Sequence, residues 1–213
     1  MNIRNYQKEL DTLIERNTAA GIRPSLMLHV CCAVCASYVL EYLHEHFSIT
    51  VAYYNPNITD DEEYRYRYSE LRRYVAESGL SDAIRFVEVD YDPAVFFRLA
   101  QGREEDREGG SRCELCFYER LSYTARLAAE GGYDYFATTL TISPLKNAAL
   151  INAVGERAAA EFGARYLPTD FKKKEGYKRS VELSRQYSLY RQNYCGCIFS
   201  QREAQRREAA RAR

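Results

Sequence analysis

The chain has 213 residues with 46% hydrophobic side chains, and its 30 Lys and Arg balance 30 Asp and Glu; no apolar run approaches the roughly 20 residues that a membrane span needs. The neutral total conceals an asymmetry, because residues 165–213 carry 13 basic against 5 acidic side chains, net +8, which leaves residues 1–164 at net −8. A basic C-terminal segment on an acidic body suits an anionic partner, nucleic acid first, or else a solvated face.

In chain order, Asn5 to Ala20 repeats Tyr6, Leu10, Leu13 and Ile14 at helical spacing and stops at Gly21. Met1 to Ala20 is charged and amphipathic, so no signal peptide is expected, and the setting is read as reducing and cytoplasmic. Leu26 to Val30 reads as a buried strand and Ala36 to His46 as a helix, which puts Cys31, Cys32 and Cys35 in the turn between them. Ligands of open α/β sheets sit at such turns, where the helix N-terminus lowers a thiol pKa.

Ile49 to Tyr54 is a second strand, broken by Asn55-Pro56-Asn57, and Thr59-Asp60-Asp61-Glu62 fits a capping box for a helix running to Glu77. Its Tyr64, Tyr68, Leu71 and Val75 form a core face, while Arg65, Tyr66, Arg72 and Arg73 suit a solvated face better than a base-stacking one. Ile84 to Val89 is a third strand, and Asp92-Pro93 opens a helix that ends near Gln101-Gly102. Arg103 to Arg112 reads as an exposed charged loop. Cys113 then starts a helix to Gly131-Gly132, on which Cys113 and Cys116 share one face.

Asp134 to Thr139 is a fourth strand, Leu140 to Pro144 a loop, and Leu145 to Phe162 a helix closed by Gly163. Arg165 to Pro168 is a short fifth strand at best. A basic loop at Lys172-Lys173-Lys174, a helix from Tyr177 to Leu189, the turn Cys195-Gly196-Cys197 and a charged, fraying tail from Gln201 to Arg213 complete the chain. Strands alternating with helices argue a parallel sheet of about five strands with helices on both faces. The economical organisation is a single α/β metalloenzyme domain over residues 1–213, with a basic C-terminal segment from about 165.

All seven cysteines fall in clusters of three, two and two, a pattern that stray core thiols do not make. Thiolates from Cys31, Cys32, Cys113 and Cys116 can hold Zn²⁺ or an iron–sulfur cluster. Adjacent side chains such as Cys31 and Cys32 are expected to diverge, which a cluster with separated irons accepts more readily than one tetrahedral ion. Cys195-Gly196-Cys197 differs in kind: a disulfide there closes a strained, easily reduced ring and suits a two-electron relay, the alternative being two more metal ligands. His29, inside a strand, reads as a packed or hydrogen-bonded histidine rather than a ligand.

The sequence resembles the epoxyqueuosine reductases of the QueH type across nearly its whole length. The resemblance is carried by Leu28-His29-Val30-Cys31-Cys32-Ala33-Val34-Cys35, Tyr54-Asn55-Pro56-Asn57-Ile58, Arg112-Cys113-Glu114-Leu115-Cys116, Thr138-Thr139-Leu140-Thr141-Ile142-Ser143-Pro144, Asp170-Phe171-Lys172-Lys173 and Leu189-Tyr190-Arg191-Gln192-Asn193-Tyr194-Cys195-Gly196-Cys197. One position departs: Val34 stands where the family usually has Pro.

The resemblance implies an iron–sulfur oxidoreductase acting in the last step of tRNA queuosine modification. It reduces the epoxide of epoxyqueuosine, at the anticodon wobble position of tRNA, to the cyclopentene with loss of water. It also implies a [4Fe–4S] cluster on Cys31, Cys32, Cys113 and Cys116, a redox-active pair, Cys195 and Cys197, and a fold similar to the nucleotide-binding α/β hydrolases and PP-loop ATPases. Because Cys31 to Cys35 replace the phosphate loop of those proteins, no ATP use is expected. Cys35 is a candidate to ligate an additional iron or to assist proton transfer. The basic residues Lys172, Lys173, Lys174 and Arg179 are expected to face the RNA, and an electron donor, not identifiable from sequence, must supply the reaction. A cluster-dependent tRNA-thiolating enzyme and a zinc-stabilised RNA-binding module without catalysis are the alternatives.

Overall fold

The computed structural model describes residues 4–211; Met1 to Ile3 of the N-terminal stretch and Ala212-Arg213 of the tail lie outside them. Four parallel strands, β1 (Ser25–His29), β2 (Ser48–Ala52), β3 (Ile84–Val87) and β4 (Tyr135–Thr138), form one sheet in the order β3-β2-β1-β4. β1 is central, with Leu28 opposite Val51 on one side and Ala137 on the other. The described helices are α1 (Tyr6–Ala19), α2 (Ala33–Leu43), α3 (Asp61–Glu77), α4 (Pro93–Ala100), α5 (Ser111–Glu130), α6 (Ala148–Phe162), α7 (Gly176–Gln186) and α8 (Ile198–Arg211).

Strand alternation sorts the core into two layers. Leu26, Leu28, Ile49, Val51, Tyr135 and Ala137 pack against Leu10 and Ile14 of α1, Val39 and Leu40 of α2, Leu71 of α3 and Leu183 of α7. Met27, Ala52 and Phe136 turn the other way, onto Leu121 and Ala125 of α5 and Ile151 and Val154 of α6. By the same alternation, His29 and Thr138 end their strands on the α5 side, where they meet through His29 Nδ1 and Thr138 Oγ1 at 2.9 Å.

Most element starts follow local chemistry. Asn5 and Asp60 cap α1 and α3 by accepting from the N–H groups of Lys8 and Glu63, and Asp61, Glu62 and Glu63 complement the positive end of α3. Asp92 caps α4, with Pro93 at its first position.

Several elements differ from the sequence expectation. The helix after β1 begins at Ala33, not Ala36, because the Cys32 sulfur serves as its cap and accepts from the Cys35 N–H at 3.4 Å; Cys35 therefore sits in the first turn of α2, not in the loop. The sheet has four strands, since Tyr166 of the expected fifth makes only an isolated bridge to Phe136. Thr139–Ile142 is a 3₁₀ turn, α6 starts at Ala148 once Asn147 caps it, and α7 ends at Gln186. The tail is helical through Arg211. Arg112 is not part of an exposed loop: it lies in α5, 1% exposed, donating from Nη1 to the carbonyls of Arg103 and Glu104 at 2.7 and 2.9 Å, so the charged segment wraps around it.

Candidate metal centre and active site

The thiols gather at the carboxyl end of β1, where α/β sheets open a crevice. The sulfurs of Cys31, Cys32 and Cys35 all lie within 4.8 Å of one another, a grouping able to hold a metal ion or cluster. Cys31 and Cys32 do not diverge. Cys32 is held in extended backbone at the cap of α2, and the two sulfurs converge to 3.9 Å. A tetrahedral ion with metal–sulfur bonds of about 2.3 Å spaces its ligands by about 3.8 Å, so the pair also fits one ion.

The expected lowering of thiol pKa falls on one of the three. Hydrogen bonds from the Cys32 and Cys35 thiols, then the positive charge of Arg120, hold Cys31 well below the usual thiol value. The same contact pushes Cys32 up to about 12, and Cys35 rises for the same reason.

Cys113 and Cys116, on the first turns of α5, line a second cavity together with Cys195, Cys197, Phe96 and Asn57. Cys195 also lines the cavity of Cys31, Cys32 and Cys35, as do Glu108, Leu145 and Lys146. Two adjoining cavities thus take in all seven cysteines, every one a free thiol, with Cys195 on the wall they share. Burial raises the thiol pKa of Cys113 and Cys197, and pushes Cys116 up to about 12. Backbone N–H groups reach the sulfurs: Gly109 donates to Cys113 at 3.2 Å and Ser200 to Cys197 at 3.4 Å. Such N–H···S contacts are the outer-shell donors that thiolate-bound metal groups use.

A family model described as epoxyqueuosine reductase QueH matches residues 26–203 of this chain. The chain belongs to that family. It is 43% identical over 198 residues to the epoxyqueuosine reductase QueH of Streptococcus pyogenes serotype M1, covering 92% of this chain and 78% of that protein. Staphylococcus epidermidis has a relative of the same name at 40% identity over 200 residues, 92% and 84% of the two chains. Another, from Thermotoga maritima, is 31% identical over 189 residues, 87% and 94% of the two chains.

For a QueH family member the surroundings of the thiols carry as much information as the thiols. His29 is fully buried, bonded through Nδ1 to Thr138 Oγ1 and accepting at Nε2 from Arg120 Nε at 3.2 Å, with the Tyr54 carbonyl 3.1 Å from the same nitrogen, which bears out the packed-histidine reading. Burial, and next the Arg120 charge, push its pKa to about 3, so it is neutral.

Arg67, Arg120 and Lys146 were not singled out by sequence reasoning. An arginine or lysine inside a helical pattern gives no local sign that it will face inward. Burial by itself lowers the Lys146 ammonium pKa, but the sulfurs of Cys195, Cys31 and Cys35 and the Glu108 carboxylate outweigh it and hold the group above the ordinary lysine value.

The basic residues expected to face RNA are largely committed elsewhere. Lys174 pairs with Asp11 at 2.8 Å and Arg179 with Glu41 at 2.7 Å, while Lys172 donates to the Thr141 carbonyl at 2.9 Å and pairs with Asp170. Lys173 is exposed and makes no ion pair among the described residues. The exposed Arg191 and Arg207 and the Tyr177 ring, 39% exposed, instead border the cavity of Cys31. Among the described residues no helix is long and apolar enough to cross a membrane.

Proposed function

We propose that this chain is an epoxyqueuosine reductase: it takes tRNA carrying epoxyqueuosine at the anticodon wobble position and removes the epoxide oxygen, giving queuosine and water. The observation that carries this reading is the convergence of all seven cysteines on two adjoining cavities with Cys195 in common. A dry core has no use for seven free thiols around one space, and a two-electron deoxygenation does.

In this reading a [4Fe–4S] cluster is held by Cys31, Cys32, Cys113 and Cys116, and Cys35 is placed to take an additional iron. When bound, such a group supplies Lewis acidity toward the epoxide oxygen and one-electron transfer. Cys195 and Cys197 supply the electron pair. Two S–H bonds and two C–O bonds break, an S–S bond and a C=C bond form, and the oxygen leaves as water with both thiol protons. An external reductant then restores the dithiol.

Lys146, on the same shared wall, relays one of those thiol protons to the departing oxygen through its ammonium group, which ends the step with the proton it began with. The RNA is received at the basic rim of Arg191 and Arg207, where the Tyr177 ring is free to stack on an unpaired base. These requirements place the enzyme in the cytoplasm with its tRNA.

The test is anaerobic purification with analysis of iron, acid-labile sulfide and conversion of epoxyqueuosine tRNA. Wild-type protein is expected to be brown and active, and Cys31→Ala or Cys113→Ala is expected to lose the chromophore and the activity together. Colourless, zinc-loaded, fully active wild-type protein overturns the cluster assignment; RNA binding without conversion overturns the reductase.

A further inference from the structure

Arg120 of α5 is 1% exposed, among the largest fully buried side chains of the protein. Its guanidinium spreads over three partners. Nε donates to His29 Nε2 at 3.2 Å, Nη2 donates to Asn55 Oδ1 at 2.7 Å, and Nη1 points at Cys116 Sγ at 4.0 Å. Neither of the first two carries charge. His29 accepts from Arg120 as a neutral ring, and Asn55 is itself fixed by donating from Nδ2 to the Val30 carbonyl at 2.8 Å.

A buried cation persists in a fold only against a counter-charge. Among the described residues no carboxylate forms an ion pair with Arg120, in contrast to buried Arg67, which has Glu63 at 2.7 Å. What surrounds Arg120 instead is sulfur. Cys116 is its direct neighbour, Arg120 borders the cavity of Cys31, Cys32 and Cys35, and its charge is one of the causes that hold the Cys31 thiol low. The guanidinium therefore lies between the two halves of the thiol set, the turn after β1 and the first turns of α5. His29 and Asn55 fix its plane from behind, so it cannot turn toward solvent.

We infer that Arg120 is a positioning residue that supplies a permanent positive charge to the thiolate-bound group between β1 and α5 and thereby raises that group's reduction potential. The physical reason is electrostatic. Accepting an electron makes a thiolate-ligated group more negative, and a fixed cation in a low-dielectric interior stabilises the reduced state more than the oxidised one. Donation toward a ligand sulfur acts in the same direction. The inference rests on the cluster reading above and adds to it a residue and a direction of tuning.

The experiment compares wild type, Arg120→Gln and Arg120→Lys, each purified anaerobically, analysed for iron and sulfide, and titrated potentiometrically with the spectrum as readout and no substrate present. Arg120→Gln is expected to keep its iron and sulfide while its one-electron reduction equilibrium shifts at least tenfold toward the oxidised form, a fall of about 59 mV or more. Arg120→Lys, which keeps the charge, is expected to titrate with the wild type. Equal potentials in wild type and Arg120→Gln overturn the inference, as does a fall in Arg120→Lys as large as in Arg120→Gln. Where Arg120→Gln takes up no iron, Arg120→Lys decides: uptake at the wild-type potential supports the charge role, and no uptake overturns it. Wild-type protein that binds no iron and sulfide overturns the underlying cluster reading instead.

Discussion

Arg67 donates from Nη1 to the backbone carbonyl of Cys195 at 3.1 Å, which fastens the C-terminal thiol turn to α3. Arg67 is 2% exposed, held by Glu63 through Nε at 2.7 Å, and stacked under the Tyr194 ring at 5.1 Å. The Thr59 N–H donates to the Gly196 carbonyl at 3.3 Å, so α3 and the loop before it grip both sides of the turn.

Gly196 is the residue this grip requires. Its φ is +125°, and a Cβ there would lie 2.8 Å from Ile58 Cγ1 and 3.3 Å from Arg67 Nη1. Gly196→Ala is expected to cost about 1–3 kcal/mol. For a chain of this size that lowers Tm by roughly 2–4 °C per kcal/mol. Activity should fall further than stability explains, because the dithiol shifts with the turn. A thermal melt and a turnover rate both equal to wild type would show that the turn is not clamped.

Relay and ligand roles at Cys195 and Cys197 make opposite predictions. As a relay, Cys195→Ser retains iron, sulfide and the visible spectrum but does not turn over, and Cys197→Ser behaves alike. The double variant should be hardly worse than either, as when two residues act as a unit. Loss of the spectrum together with activity in Cys195→Ser would identify a ligand instead. Alkylation and mass measurement after substrate exposure without reductant should find the Cys195–Cys197 disulfide.

For tRNA, the pairings of Lys174 and Arg179 shift the expected RNA-binding surface to the cavity rim. Arg191→Gln and Arg207→Gln should each weaken binding and reduce the slope of log affinity against log salt by roughly 0.7–0.9 for each phosphate no longer neutralised. Lys174→Gln, whose ammonium is engaged by Asp11 at 2.8 Å, should leave the slope unchanged. Filter binding over a salt series measures both, and an unaltered slope in the two arginine variants would rule out the rim as the RNA-binding surface.

Asp134 gives the acid dependence of the sheet. It accepts from the Ser25 N–H and hydroxyl, both at 2.8 Å, tying the start of β1 to the start of β4, and the backbone bond chiefly holds its carboxyl below the usual value. A carboxyl with a lowered folded pKa stabilises the fold above its unfolded pKa, about 3.9, and that contribution disappears as pH falls through the folded value. Asp134→Asn should be less stable than wild type at pH 7, and the gap should narrow below about pH 4. Urea midpoints at pH 7 and pH 3 measure it; a gap that widens on acidification contradicts the assignment.

The alternation of strands and helices, the capping residues Asn5, Asp60 and Asp92, and the arrival of Cys31 and Cys32 just after the central strand were all legible in the sequence, because periodicity, caps and turns are settled by residues within a few positions of one another. The same local rules placed Cys113 and Cys116 three apart on the start of α5 and recognised the family. What only the tertiary structure decided is which of these pieces share a space. Cys195 joins the cavities of both other thiol groups because Arg67, 128 residues earlier, holds its carbonyl. Arg120 meets His29 across 91 residues because strand alternation turns that ring toward α5. The fifth strand shrank to one bridge at Tyr166, and Lys174 and Lys172 of the basic loop were taken up by Asp11 and by the Thr141 carbonyl, for the same reason. A charged side chain's partner depends on distances through the fold, which the spacing of residues along the chain does not encode.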